Sequence, residues 1–268
     1  MAAAPYVHGY SASESTRLAD QAAALSDLLH AGTRYPPGAR VLEAGCGTGA
    51  QTVILAGHSP LADLTSIDTS PGSLAEARSR VRTAGHDNVR FLRADIFRLP
   101  FRRAVFDHVF VCFVLEHLTD PGGALRVLTA VLKPGGSITV IEGDHGSAYF
   151  HPHSDAARRA IQCLIELQQQ GGGDPLIGRR LYPLLAGVGY RDVRVEPRVA
   201  YVDGSRPDLA DGVTRKTFTA MVDGVADQAI GQGLMDPVSW AAGIRDLHRA
   251  AEDDGTFCYT FFKAVAVR

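Results

Sequence analysis

Several features are scarce in this chain of 268 residues. No apolar run is long enough to span a bilayer: each stops after about eight residues, and a spanning helix needs roughly 20. The stretch from Met1 to Ser11 has neither a basic nor an apolar segment, which predicts no signal peptide. The four cysteines, Cys46, Cys112, Cys163 and Cys258, form no CxxC pair, so a reduced, cytoplasmic setting is expected. A basic excess is also missing. Lys and Arg total 27 against 29 Asp and Glu, a net charge of −2, which argues against a nucleic-acid partner. There is no repeat, low-complexity tract or domain-scale linker. Apolar residues are plentiful at 46%, enough for a large core and too many for a disordered chain.

Strand-like and helix-like segments alternate. Residues 11–30 read as an amphipathic helix, with Ser11 and Glu14 at capping-box spacing and Leu18, Ala22, Leu25 and Leu29 on one face. Tyr35-Pro36-Pro37-Gly38 stops it. The pattern then predicts strands over 40–44, 64–68, 89–93, 105–112 and 137–142. Helices are expected over 50–56, from a Ser70 cap to residue 83, and from Asp120-Pro121 to residue 132, with a turn at 133–136. This alternation predicts a parallel sheet covered on both faces. After Gly143 the rhythm changes. Helices are expected over 154–170 and 181–188 and a strand over 193–199. A polar, largely helical stretch follows over 203–254, then a closing strand over 255–267.

The sharpest motif is Val41-Leu42-Glu43-Ala44-Gly45-Cys46-Gly47-Thr48-Gly49, a strand entering three alternating glycines and then a helix. Such a turn lets backbone approach a ligand with no Cβ in the way and aims helix N–H groups at it. Gly45, Gly47 and Ala50 also satisfy the dinucleotide pattern GxGxx[GA], so the loop alone leaves a nicotinamide-dependent oxidoreductase open. Asp68, ending the second strand, is placed for ribose hydroxyls in either case.

Four further features separate the two. Glu43 sits two places before the first glycine. Asp95 follows the third strand. Leu99-Pro100-Phe101 and then Phe106-Asp107 lead into the fourth, and Leu132-Lys133-Pro134-Gly135-Gly136 precedes the fifth. Together these resemble the motif series of class I S-adenosylmethionine-dependent methyltransferases, in particular the type 11 group related to quinone-biosynthesis methyltransferases. Val114-Leu115-Glu116-His117-Leu118 is similar to that group's segment after strand four. The resemblance is strong over residues 40–142 and looser elsewhere. It implies an α/β fold with a Rossmann-like, seven-stranded class I sheet whose last strand is antiparallel. An N-terminal lid helix and a helical insertion before the last strand complete one domain over 1–268: lid and helix at 1–37, cofactor-binding core at 38–150, substrate-side elaboration and closing strands at 151–268.

The resemblance implies S-adenosylmethionine as cofactor, S-adenosylhomocysteine as product and a small-molecule acceptor. Gly45 and Gly47 then line the methionine moiety, with Glu43 in the same motif. Asp68 binds the ribose hydroxyls, Asp95 with the backbone of Ile96 meets the adenine, and Phe113 lies where relatives touch the cofactor's amino group. Gln51, opening the helix after the loop, is a further contact candidate. Cys112-Phe113-Val114-Leu115 stands where amino-methylating enzymes often carry an NPPY-like tetrapeptide, which disfavours RNA or protein as substrate. A catalytically idle protein on the same fold is the contrasting class.

The acceptor is expected beyond the carboxyl ends of the strands, near Glu116-His117, near Glu142-Gly143-Asp144-His145 and under a lid at residues 6–10 that includes His8 and Tyr10. Phe150-His151-Pro152-His153 supplies the leading candidates for a base. In extended chain residues two apart point the same way, so both imidazoles would face one pocket, and histidine titrates near neutrality. His151, His153 and Tyr10 are thus the catalytic candidates, against a plain helix-entry reading with Ser154 as cap. No companion carboxylate or cysteine suggests a metal site. The histidine pair, the lid and the insertion resemble bacterial natural-product methyltransferases acting on indole C3, as in physostigmine-type pathways. The insertion's Phe218, Met221, Val222, Val225, Ile230 and Leu234 are too many to leave in water, so they shape the acceptor pocket, form a homodimer contact or cover neighbouring elements.

Overall fold

A computed structural model describes residues 25–268. The expected lid, Tyr10, and most of the helix over 11–30 lie outside the described residues; residues 25–30 are helical.

The alternation appears as expected through β1 (Arg40–Ala44), α1 (Ala50–His58), β2 (Asp63–Asp68), α2 (Pro71–Thr83), β3 (Val89–Arg93), β4 (Phe106–Cys112), α3 (Pro121–Val131) and β5 (Leu132–Gly143). Local chemistry sets the starts of these helices. Ser70 Oγ accepts from Ser73 N at 3.2 Å with Pro71 following, and an Asp120 carboxylate oxygen accepts from Gly123 N at 2.7 Å. The strand order is β3-β2-β1-β4-β5, all parallel. The chain therefore reverses its direction of travel between β1 and β4. That is where ligands bind in such sheets, because adjacent loops leave the sheet to opposite faces. Val109, Phe110 and Val111 of β4 are fully buried, as a strand covered on both faces requires. The turn expected at 133–136 is absorbed into β5 as an irregularity: the register shifts between Phe106 and His108, and Gly135 adopts φ 77°.

The second half follows as α4 (Asp155–Gln170), α5 (Leu181–Gly187), β7 (Arg191–Asp203), α6 (Pro237–Arg249) and β8 (Thr256–Val267), with β6 (Tyr149–His151) before α4. β8 runs antiparallel to β5 and pairs with β7 on its other side, so the seven expected strands are present and the last is antiparallel. β6 is an eighth. It takes over the β5 side of β8 once β5 has ended, pairing Tyr149 with Cys258 and His151 with Thr256. β7 extends beyond the expected 193–199 at both ends and runs through Pro197. As an edge strand it tolerates a residue with no N–H to donate.

Residues 207–231 form short helical pieces, including a π-helical stretch, Ala210–Thr219. Ser154, the cap of α4, donates from its hydroxyl to Asp246 on α6 at 2.6 Å and so ties the two helices together. Phe218, Val222 and Val225 join the core shared with α4 and β8, and Met221, Ile230 and Leu234 pack against it. The insertion's apolar residues thus cover this chain's own sheet and helices.

Candidate functional site

The glycine loop is built as a backbone cradle. Gly45, Gly47 and Gly49 have φ of 79°, 50° and 81°, a region other residues rarely adopt. Gly45 and Cys46 donate their N–H groups to Ile67 O at 2.8 and 2.9 Å, pinning the loop to β2. A Cβ on Gly45 would lie 2.5 Å from Val114 Cγ2, and one on Gly49 would lie 2.8 Å from Ala77 Cα. Of the three, Gly47 alone has nothing within 4 Å of its missing Cβ among the described residues. The loop is therefore closed by protein on two sides and open on the third. Asp68 completes it: one carboxylate oxygen accepts from Gly47 N and the other from Ser70 N, both at 2.9 Å.

Glu43 belongs to the loop's foundation rather than its open side. It is buried, accepts from Thr52 Oγ1 at 2.7 Å and Ser66 Oγ at 2.6 Å, and so binds α1 to β2. Burial pushes its carboxyl up to about 7. Gln51 is also engaged: its Oε1 lies 2.6 Å from Nε2 of His30, whose imidazole is buried and lowered to about 4 chiefly by that burial. Asp95 is exposed at the end of β3 and accepts from Phe97 N at 2.9 Å, with Ile96 buried beside it. Phe113 leaves β4 with φ 56°, and its ring centroid lies 5.7 Å from that of Phe261.

Residues 42–140 match the family model described as a methyltransferase domain. The matched segment holds the glycine loop, Asp68, Asp95 and Phe113. A demethylmenaquinone methyltransferase of Thermus thermophilus is 38% identical over 103 residues, 38% of this chain and 46% of that protein. Methyltransferase str2 of Strobilurus tenacellus is 25% identical over 233 residues, 84% of this chain and 82% of that protein. Among solved structures, the [4+2]-cyclase SpnF aligns with a TM-score of 0.57 at 22% identity, over 91% of this chain and 79% of that chain, which is a likeness of fold. The chain spans 35% to 46% of the length of the first three curated relatives it matches.

Next to the methyltransferase-domain loop, the ends of β4 and β5 carry a buried polar cluster. Glu142 Oε1 accepts from Val114 N at 3.1 Å and Leu115 N at 2.8 Å, which shapes the turn after β4. Glu142 Oε2 is buried with no hydrogen-bond partner among the described residues. Burial and the neighbouring Glu116 push the Glu142 carboxyl well above its usual range. Glu116 Oε1 lies 3.4 Å from His117 Nε2, and its Oε2 lies 3.7 Å from His145 Nε2. His145 Nδ1 is 2.7 Å from Tyr259 Oη. Asp144 is held by Arg179, whose Nε and a terminal nitrogen donate at 2.6 and 2.8 Å. Sequence reasoning named Glu116, Asp144 and His145 only as secondary groups and missed Tyr259. Its one local signal was the aromatic run of the closing strand.

The structure places both members of the histidine pair at the surface rather than facing one pocket. His151 and His153 are both exposed, the latter with a side chain 62% accessible and bonded at 3.0 Å to the surface carboxylate of Asp155. His151 pairs with Thr256, five residues along β8 from the partner of Gly143 and so roughly 17 Å further along the sheet. The extended-chain argument fixed the relative direction of the two side chains but not which surface they would meet.

Proposed function

We propose that this chain transfers a methyl group from S-adenosylmethionine to a small-molecule acceptor. C3 of an indole is the narrower candidate; O- or N-methylation of another small aromatic or quinone-like metabolite is the alternative. The observation that carries the reading is the cradle at the switch point, where three left-handed glycines leave one side open and Asp68 closes the loop onto Gly47. The backbone at Gly45 and Gly47 suits the methionine chain, the Asp68 carboxylate the ribose hydroxyls, Asp95 and Ile96 the adenine, and Phe113 the remaining edge. Bound there, S-adenosylmethionine supplies an electrophilic methyl group on a sulfonium.

The remaining work belongs to side chains that align the acceptor and keep water out. Phe113, Phe261, Tyr259, Phe218 and Phe257 form a continuous run of rings, with successive centroids 4.7 to 5.7 Å apart. This run, buried in the core except at Phe113, connects the post-β4 turn to the insertion. Calorimetric titration with S-adenosylhomocysteine and with NAD tests the donor: binding of NAD alone overturns the reading. Labelled S-adenosylmethionine with a panel of indoles, phenols and quinone precursors, read by product mass, tests the acceptor. The likeness to the cyclase SpnF favours one second reading, a protein of this fold with other chemistry. Tight S-adenosylhomocysteine binding with no methylated product across the panel supports it.

A further inference from the structure

The cluster beyond β4 and β5 is placed too rigidly for a surface accident. The Glu116 carbonyl accepts from Asp174 N at 2.8 Å, and the turn after α4 approaches it so closely that a Cβ on Gly173 would lie 2.5 Å from that oxygen. From the other side Glu142 holds the N–H groups of Val114 and Leu115. Val114 in turn packs on Gly45 of the cradle. The Glu116 carboxylate, 9% exposed, is thus anchored two residues from the cradle wall.

Its neighbours differ in what they can do. Asp144 is committed to Arg179, and Glu43 to Thr52 and Ser66. Glu142 is fully buried and spends one oxygen on backbone N–H groups. The Asp144 N–H faces the Tyr259 phenol oxygen. With the phenol donating to His145 Nδ1, the Nε2 edge of His145 lies toward Glu116, 3.7 Å from its Oε2. His117 Nε2 flanks the second oxygen.

We propose that Glu116 receives the proton that the acceptor gives up as it is methylated, with His145 and Tyr259 as the positioning residues that orient its carboxylate. The acceptor is accordingly one that presents an N–H or O–H to this group. The inference rests on the methyltransferase reading. As the acceptor–methyl bond forms, the carbon–sulfur bond breaks and its electron pair stays on sulfur, while the acceptor's proton passes to the Glu116 oxygen. Among the described residues, the charged and titratable groups around the Glu116 carboxylate include His117 on the same turn, Glu142 and Asp144 from the end of β5, His145 after it, Arg179 before α5 and Tyr259 on β8. Burial and the nearby carboxylates raise the Tyr259 phenol well above its usual value, so it stays protonated and keeps donating.

Infrared spectra of the protein alone at neutral pH read the carboxyl states without any ligand. The proposal requires an ionised Glu116, so Glu116→Gln is expected to leave the protonated-carboxyl signal unchanged. A signal that Glu116→Gln removes shows a group already carrying its proton, and overturns the proposal. In turnover with labelled S-adenosylmethionine and the acceptor panel, Glu116→Gln should lower kcat by about 100-fold or more. Affinity for S-adenosylhomocysteine should be unchanged. Tyr259→Phe should lower kcat more than it alters KM and shift the acid limb of the pH profile, an effect that lost packing alone does not produce. Wild-type kcat in Glu116→Gln overturns the assignment. Failure of the wild type to bind S-adenosylhomocysteine sinks the methyltransferase reading instead, and the infrared result still stands.

Discussion

The cradle at β1 and the cluster at the ends of β4 and β5 face the same crevice but are made of different material. The cradle is backbone: its form depends on left-handed glycines at 45, 47 and 49, of which 45 and 49 leave no room for a Cβ, closed by one carboxylate. The cluster is side chain: Glu116, the Glu142–His145 segment and Tyr259 come from three separate stretches, and Tyr259 joins only because β8 lies against β5. Because the whole loop conformation rests on single atoms, the cradle is intolerant of substitution. In the cluster each member tolerates a near-isostere that keeps its shape and changes only its chemistry.

The largest expected effect follows from breaking the cradle. Gly45→Val adds a branched side chain at φ 79° where even a Cβ lies 2.5 Å from Val114. A loss of about 2–4 kcal/mol is expected, with S-adenosylhomocysteine binding abolished. Chemical denaturation and calorimetry check the two parts. Next is Asp68→Ala, which removes the carboxylate that holds Gly47 and, on the proposed function, the ribose. Cofactor affinity should fall by roughly 1.5–3 kcal/mol, and unchanged affinity would place the ribose elsewhere.

A smaller effect concerns the foundation under the cradle. Burial raises the folded-state carboxyl of Glu43 from 4.5 to about 7, so the folded protein binds this proton more tightly than the unfolded chain does. The contribution to stability is fully present below about pH 4.5 and is lost as pH rises through about 7. His30, lowered from 6.5 to about 4, acts in the opposite sense: its contribution is present above 6.5 and is lost as pH falls toward 4. Subtracting the denaturation profile of Glu43→Gln from that of the wild type should isolate the Glu43 slope between pH 4.5 and 7, and a flat difference contradicts it.

The smallest effect is expected at the outer end of the sheet. The double variant His151→Asn and His153→Asn should keep kcat within about threefold of wild type, since both imidazoles are exposed at the outer end of the sheet and His153 is bonded to the surface carboxylate of Asp155. A loss of a hundredfold would return the base to this pair and weaken the contrast between cradle and cluster.

Most of the parallel half was legible because its signals are local. Ser70 before Pro71 and Asp120 before Pro121 cap helices through bonds within three residues, and the glycine spacing is a constraint of the turn itself. β6 escaped because three residues carry no pattern of their own; the strand exists only because β8 extends past the end of β5. Glu43 was placed correctly in the motif, yet its side chain turned to Thr52 and Ser66, a choice that depends on β2 lying alongside.

By itself the sequence determined the alternation of strands and helices, the left-handed turn at Gly45–Gly49 and the carboxylates at the ends of β2 and β3. Hydrogen-bond geometry and steric exclusion act there over a few consecutive residues. Only the tertiary structure decided which polar groups share the crevice. His145 and Tyr259 are 114 residues apart, and their 2.7 Å contact exists because an antiparallel closing strand returns past β5. The same packing left His151 and His153 in water, since the face a side chain meets is set by the strand it pairs with, not by its neighbours in sequence.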